Sequence, residues 1–467
     1  MKLNYKRTTL VGFAFFLIMA FWQAYDVIVP LILTNHFGLP QVASGAIMSI
    51  DNVLAVFLLP IFGTISDRSR NKLGRRTPFI IVGTVIASIT FVCLTFVDNY
   101  QLARVINAKI PEINGEGMSE EAYESLLIKE ALKLTTANPW PLIVFIAVLL
   151  IVLVAMAIFR SPAVALMPDV TVKPLRSKAN AVINLMGTAG GISVLVLGMI
   201  FKTDANKYMK YTGYVLIVVA IMILALIVFL LTVKEKRWAV EMEEEEKRLG
   251  LDEPSVDEIA VDHSALDRAK LKSLILILAS VALWYIGYNS ITSKYTVYAK
   301  NVLDFDFNLT LIIAQVAAII SYIPVGIIAS KVGRKKTILV GIVILFSAFF
   351  AGNFIGPNAP QLLMVPLFIF AGIGWATINV NSFPMAVELA RGSDVGKYTG
   401  YYYTASMAAQ IVAPILSGLL YDLVSMRIMF FAFGSLFVGL SFVTMFFVKH
   451  GDSKPEASAV LDNIDVD

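Results

Sequence analysis

Apolar runs of about 20 residues, broken by short charge clusters or by Gly, Pro and Asn, recur along all but two internal stretches of the chain. A run of that length crosses the roughly 30 Å hydrocarbon core of a bilayer as one α-helix. The pattern predicts helices near 10–33, 43–66, 78–97, 140–165, 179–201 and 212–233, and six more near 273–293, 308–330, 338–355, 362–387, 398–420 and 428–448. The exceptions are 98–139 and 234–272. The first holds a helix-prone piece, Ser119 to Leu134, with Glu120 and Glu121 in its first turn. Two readings are open for it: a solvated cap over the outer mouth, or a contact for a partner or substrate. The second carries KEKRWAVEMEEEEKRLG and reads as an amphipathic linker whose charge run is a solvated face.

Composition agrees with the patterning. Hydrophobic residues make up 58% of the chain and charged residues 15%, with a mean hydropathy of +0.76, which is more apolar surface than a soluble core needs. Basic residues in short loops resist translocation. With the N-terminus inside, 27 of the 38 Lys and Arg lie on the cytoplasmic side, 10 lie outside and Arg160 stays within a span. Both termini are therefore expected in the cytoplasm. Lys2, Lys6 and Arg7 precede an apolar stretch too long, and too poor in cleavage-site residues, for a signal peptide. Cys93 is the single cysteine, so no internal disulfide forms. The net charge of +4 follows from topology and carries no implication of nucleic acid. His36, His263 and His450 fall in predicted loops or tails and read as neither relays nor metal ligands, and no Gly-rich phosphate loop is present. No cofactor or metal is expected, and no enzymatic activity.

The chain repeats itself. SDRSRNKLGRRTPF at 66–79 is echoed by SKVGRKKT at 330–337, and Pro60 and Pro324 each stand six residues before the opening serine. SPAVALMPD at 161–169 recurs loosely as FPMAVELAR at 383–391. The expected fold is all-α and integral to the membrane: twelve transmembrane helices in two pseudo-symmetric halves of six, 1–233 and 273–448, joined by a linker at 234–272 and followed by a tail at 449–467. In transporters built this way, substrate binds near the midplane and rocking of the halves exposes it to each side alternately. The charged loop reads as a latch present in one rocked state only. Asp67 accepts charge-assisted bonds from Arg68, Arg75 or Arg76 and from a helix N-terminus, Gly74 opens the basic cluster, and Asp169, Gly333, Arg334 and Glu388 are the related gate positions. The alternative is that these charges only enforce topology.

These residues resemble the major facilitator superfamily, and within it the glycoside/pentoside/hexuronide cation symporters, nearest the sucrose-transporter branch with its animal and bacterial relatives. That branch follows helix 2 with SDR, then GRR, one variable residue and PF or PY, as do Ser66-Asp67-Arg68 and Gly74-Arg75-Arg76-Thr77-Pro78-Phe79. Gly38-Leu39-Pro40 stands 20 residues before Pro60, as the branch's Gly-[Ile/Leu]-Pro stands before its own proline. Helix 4 matches in part, through Pro162, Ala165 and Asp169. It departs where the plant members' acid falls at Leu153 and their basic residue at Val164, although Arg160 sits one turn earlier on the same face. Their first-loop histidine falls at Gln41. Related melibiose-type symporters hold sodium with two acids that fall here at Ala55 and Leu59, so sodium coupling is disfavoured. The animal relatives carry an acid 12 residues before Gly-Leu-Pro, where Asp26 stands before Gly38. The resemblance implies a sugar symporter of the plasma membrane.

Ionisable residues inside spans are costly to insert and normally face a cavity or a partner. Asp26 in helix 1, with Trp22 one turn away and Gln23 close, is the candidate for proton coupling, because withdrawal from water disfavours a carboxyl's charged form. Direct sugar binding and a structural pair remain open for it. Asp51, beside Asn52, is a second relay acid or a hydrated mouth residue. Arg160 either snorkels to the cytoplasm or serves the cavity. Sugar recognition needs neutral polar groups and aromatic faces. Trp284, Tyr285, Tyr288 and Asn289 on helix 7, Trp375 and Asn379 on helix 10, and Asn184 on helix 5 supply both. Tyr401 to Tyr403 fit interfacial anchors better. The expected activity is proton-coupled symport of a disaccharide or similar glycoside by a monomer. A drug/proton antiporter of the same fold is the competing reading, and a transport-dead receptor lacks the folded appendage it would need.

Overall fold

A computed structural model describes residues 3–108, 120–172, 175–203, 208–248, 268–357, 359–387, 389 and 395–450. The described residues form helices and no strand. Ten helical stretches are long and apolar enough to cross a bilayer. One of them, Tyr401–Phe446, is 46 residues long and makes two passes either side of a π-helical turn at Tyr421–Ser425. With Phe307–Val332 the count among the described residues reaches the twelve spans expected. The chain divides into two compact units: Met1–Asp252 with the short pieces Ser293–Asn301 and Asp306–Leu309, and Glu253–Thr292 with Val302–Phe305 and Thr310–Asp467.

In the first unit, α1 (Tyr5–Leu31) opens where the Asn4 side chain accepts the Arg7 N–H at 3.1 Å, satisfying one free helix-end donor. It runs on through a π-helical turn, Ile32–His36. Of its most apolar window 72% is buried, against 22% for the span Gln41–Asp67, so α1 is the central helix and α2 (Gln41–Met48) with α3 (Ile50–Asp67) forms an outer one. The helices α4 (Thr77–Asn107), α5 (Glu120–Ala137), α6 (Trp140–Asp169), α7 (Arg176–Phe201), α8 (Thr212–Thr232) and α9 (Glu235–Arg248) complete the unit. Gly190 of α7 lies against the backbone of Phe16, a close helix approach that a larger side chain would block.

Three sequence expectations change. Helix 3 does not stop near 97. It continues to Asn107 because Leu102 and Val105 are buried, Val105 against Leu127 and Ala131 of α5. Much of 98–139 is thus helix, with α5 packed on the end of α4. The linker's charge run is not wholly a solvated face: Glu243 and Glu244 are exposed, but Glu235 and Trp238 are buried, with the Arg7 guanidinium 5.2 Å above the Trp238 ring. His36 is not in a loop. It is buried in the last turn of the first span and contacts Asp98.

The second unit comprises α10 (Arg268–Thr292), α12 (Phe307–Val332), α13 (Arg334–Gly352), α14 (Met364–Val387), α15 (Val395–Leu420) and α16 (Met426–Phe446); the short α11 (Tyr295–Tyr298) belongs with the first. The internal repeat shows in the backbone. Gly74, just before α4, has φ +121°, and Gly333, just before α13, has φ +103°. Equivalent loops of the two halves turn on glycine because an L side chain is strained there.

Candidate functional site

The first cluster gathers on α1, α3 and α6. Ala24, Tyr25, Val27 and Ile28 are buried, yet Asp26 between them is exposed. Met19, exposed, and Trp22 and Gln23, half-buried, lie on its face at helical spacing. This stripe is the accessible side of an otherwise enclosed helix. Asp51 is half-buried, and its Oδ1 accepts the backbone and side-chain N–H of Asn52 at 2.6 and 2.7 Å. Arg160 joins this cluster from α6. Its guanidinium stands 5.5 Å over the Trp22 ring, and it lines a small cavity with Trp22, Asp51, Ala55, Leu59 and Leu153. Asp26, Asp51 and Arg160 lie within Coulombic reach of one another. Tyr25, overlooked in the sequence because tyrosines in spans usually anchor or pack, brings a buried hydroxyl with no hydrogen-bond partner close to both acids.

The second cluster belongs to the second unit. Tyr288 stacks on Trp375 at 3.7 Å with 6° between the rings, and Tyr285 meets Trp375 edge-on at 5.3 Å. Asn379 hydrogen-bonds Tyr322, and Tyr285 hydrogen-bonds Tyr402, whose hydroxyl lies 2.8 Å from Ser382 Oγ. Tyr322, Tyr402 and Ser382 join a group that helical spacing alone left incomplete. Asn289 donates to the Tyr285 carbonyl. Trp284 is fully buried, and 285 and 288, three apart on α10, are the pair that meets Trp375. Asn184 is exposed on α7, and the cluster contacts do not include it.

The third cluster closes the end of the first unit where α1 begins. Arg76 pairs with Asp67, donates from Nε to Asp169 at 2.7 Å and from Nη1 to Ser66 Oγ at 2.5 Å. Arg75 holds Asp169 through two nitrogens at 2.6 and 3.0 Å. Burial works against the Arg75 charge, but the bond and attraction of Asp169 outweigh it and push its pKa above the usual arginine value. Arg68 is exposed and stands outside this group. The helix N-terminus expected to meet Asp67 is capped by another acid. Glu235 accepts the backbone N–H groups of Arg76 and Thr77, both at 2.8 Å, and the Thr77 hydroxyl at 2.7 Å. In sequence Glu235 was hidden in a charge run, its only signal being its place directly after the sixth span. In the second unit Gly333 caps α13, Arg334 begins it, and Lys335 donates to the carbonyls of Phe446 and Val448. Glu388 lies outside the described residues.

Gly74 is fixed twice over, by its positive φ and by the Glu235 carboxylate, which occupies the place a Cβ would take. Gly74→Ala is expected to lower stability by about 1–2 kcal/mol for the backbone alone, plus the cost of displacing Glu235. Thermal unfolding should therefore place Gly74→Ala below Gly333→Ala.

The sequence profile of the Major Facilitator Superfamily matches residues 11–383 and 304–463. In fold the chain is similar to the inward-open xylose transporter XylE from E. coli, at 14% identity and TM-score 0.62 over 97% of this chain and 98% of that one. It is similar also to a D-xylose–proton symporter (16%, TM-score 0.60, 96% and 99%) and to a mutant form of the nucleoside transporter NupG (15%, 0.57, 94% and 99%). Twelve spans in two repeated halves, with matched glycine turns before α4 and α13 and a profile that covers most of the chain, make this protein a multi-pass membrane transporter of the Major Facilitator Superfamily.

Proposed function

We propose that the protein is a proton-coupled sugar symporter that carries a disaccharide or glycoside by alternating access. It acts as a monomer in the plasma membrane with both termini in the cytoplasm. The observation that carries this reading is Asp26: the one exposed position in a buried stretch of the central helix, with a second carboxyl and an arginine in Coulombic reach. A carboxyl kept in a span despite its insertion cost is a functional group by default. The ring faces of Trp375 and Tyr288, with the Asn379 amide and the Tyr285 and Tyr402 hydroxyls, supply the C–H and hydroxyl contacts a sugar requires. Ala55 and Leu59 face the small cavity with no oxygen to offer sodium, which supports the proton as coupling ion. The resemblance of the Ser66–Phe79 loop to the sucrose branch supports both a sugar and the plasma membrane.

Uptake of labelled di- and monosaccharides and nucleosides into proteoliposomes, under a proton or a sodium gradient imposed separately, tests the proposal. Accumulation of a glycoside driven by protons alone is expected; sodium-driven uptake, or export of an apolar cation against protons, would reject it. Trp375→Leu should raise KM about tenfold, the worth of one good ring contact at roughly 1.5 kcal/mol, with the maximal rate changed far less.

A further inference from the structure

At the other end of α1, beneath α5, sits a pair of ionisable groups that the proposed cycle does not use. His36 Nδ1 and Asp98 Oδ1 are 2.5 Å apart, and both side chains are fully buried. We propose that His36 and Asp98 form a second proton site, whose occupancy is linked to the seating of α5 on the unit.

Among the described residues the aromatic neighbours of the pair are two tyrosines, and Lys210 between them in sequence is exposed. From the start of α8 Tyr211 lies 5.7 Å from the imidazole, and Tyr208, just before that helix, lies 6.1 Å away nearly parallel. The Tyr211 hydroxyl and Asp98 Oδ2 are buried without hydrogen-bond partners, and Tyr211 is within Coulombic reach of Asp98. On α4 the nearest cation, Arg104, is engaged by Gln101 Oε1 at 2.9 Å and the Leu134 carbonyl at 3.0 Å. On α5 Lys129 and Lys133 are exposed and Glu130 takes Lys133, so Thr135, neutral, is the polar residue that reaches inward. From α6 comes Phe145, against Phe37, and α2 begins with the neutral Gln41.

Imidazole is the side chain that exchanges a proton in the physiological range. The His36–Asp98 pair is electroneutral with its extra proton and carries a net negative charge without it. A net charge is costly where water is excluded, so release of the proton is coupled to entry of water. The backbone at His36 and Phe37 is tied to α5 through Gln101 and Thr135. Gln101 Nε2 donates to the His36 carbonyl at 3.1 Å and to Thr135 Oγ1 at 3.2 Å, and Thr135 donates to the Phe37 carbonyl at 2.9 Å. Gly38 follows with φ +69°, its Cα against the α5 backbone at Ile128 and Leu132. Loss of the proton should therefore unseat α5, and α5 should sit most firmly at low pH.

The wild-type carrier in nanodiscs, labelled with 15N-histidine, tests this without reference to transport, so failure of the symport proposal leaves it untouched. The chain has three histidines, and the His263→Gln/His450→Gln variant identifies the His36 signals. The 15N ring shifts of His36 are expected to change over an interval of rising pH. Over the same interval the hydrogen-exchange protection factors of residues 127–137 should fall about tenfold as pH rises. Ring shifts that stay constant, or protection that does not follow them, would overturn the proposal. Asp98→Asn should remove the pH dependence of α5 protection; if that variant retains the wild-type dependence, the proposal also fails. Should it not fold, the wild-type titration still decides.

Discussion

Asp26→Asn is expected to abolish concentrative uptake while sparing exchange. A proton gradient of one pH unit is worth about 1.4 kcal/mol, enough for about tenfold accumulation by a carrier moving one proton per sugar. With an amide at position 26 the gradient has nothing to load, so labelled sugar should equilibrate and no more, whatever the imposed pH difference. Exchange of sugar for sugar needs no net proton movement and should persist, because Asn retains the hydrogen-bonding shape of the side chain. Asp51→Asn should do less. That carboxylate already accepts two N–H groups of Asn52, a local arrangement that serves helix packing as well as chemistry. Equal and complete loss in both variants would mean that the acids work as one dyad, and undiminished accumulation in Asp26→Asn would remove the coupling assignment.

Arg76→Ala is expected to be the most damaging change in the cluster of Asp67, Arg75, Arg76 and Asp169. The side chain is 5% exposed and serves Asp67, Asp169 and Ser66 at once, while Thr77 and the Arg76 backbone are held by Glu235. Breaking a buried ion pair from one side typically costs 3–5 kcal/mol. Here Asp67 is 57% exposed and Asp169 keeps Arg75, so the lower end, about 3 kcal/mol, is expected. That amount shifts a conformational equilibrium by roughly a hundredfold. Net uptake should slow by at least about tenfold, and the thermal midpoint in detergent should fall. Arg76→Lys should rescue little, since an ammonium cannot reproduce the guanidinium fork. A variant with wild-type uptake would reduce the cluster to a topology signal.

The membrane fold was legible because its cause is local. Span length, basic loops and the echo of 66–79 in 330–337 are properties of contiguous residues, and the paired glycine turns at 74 and 333 bear out the repeat. The second-unit cluster was half legible. Helical spacing put Trp284, Tyr285, Tyr288, Trp375 and Asn379 forward together, whereas the fold sets Tyr288 on Trp375 and leaves Trp284 fully buried. Glu235 was misread because a carboxylate in an acidic helix is ordinarily solvated. Only the fold brings the end of the sixth span back to the N-terminus of α4, where two free N–H groups attract it.

What the sequence determined by itself is what the bilayer enforces residue by residue: the number of spans, their repeat, and the handful of ionisable groups held inside them at a cost. Tertiary structure decided which of those groups meet. Arg160 joined Trp22 and Asp51, Asp98 met His36 across 62 residues, and Glu235 reached Thr77 across 158. Hydrogen bonds and ion pairs act over about 3 Å, and nothing in the local pattern of a chain encodes which distant residues come that close.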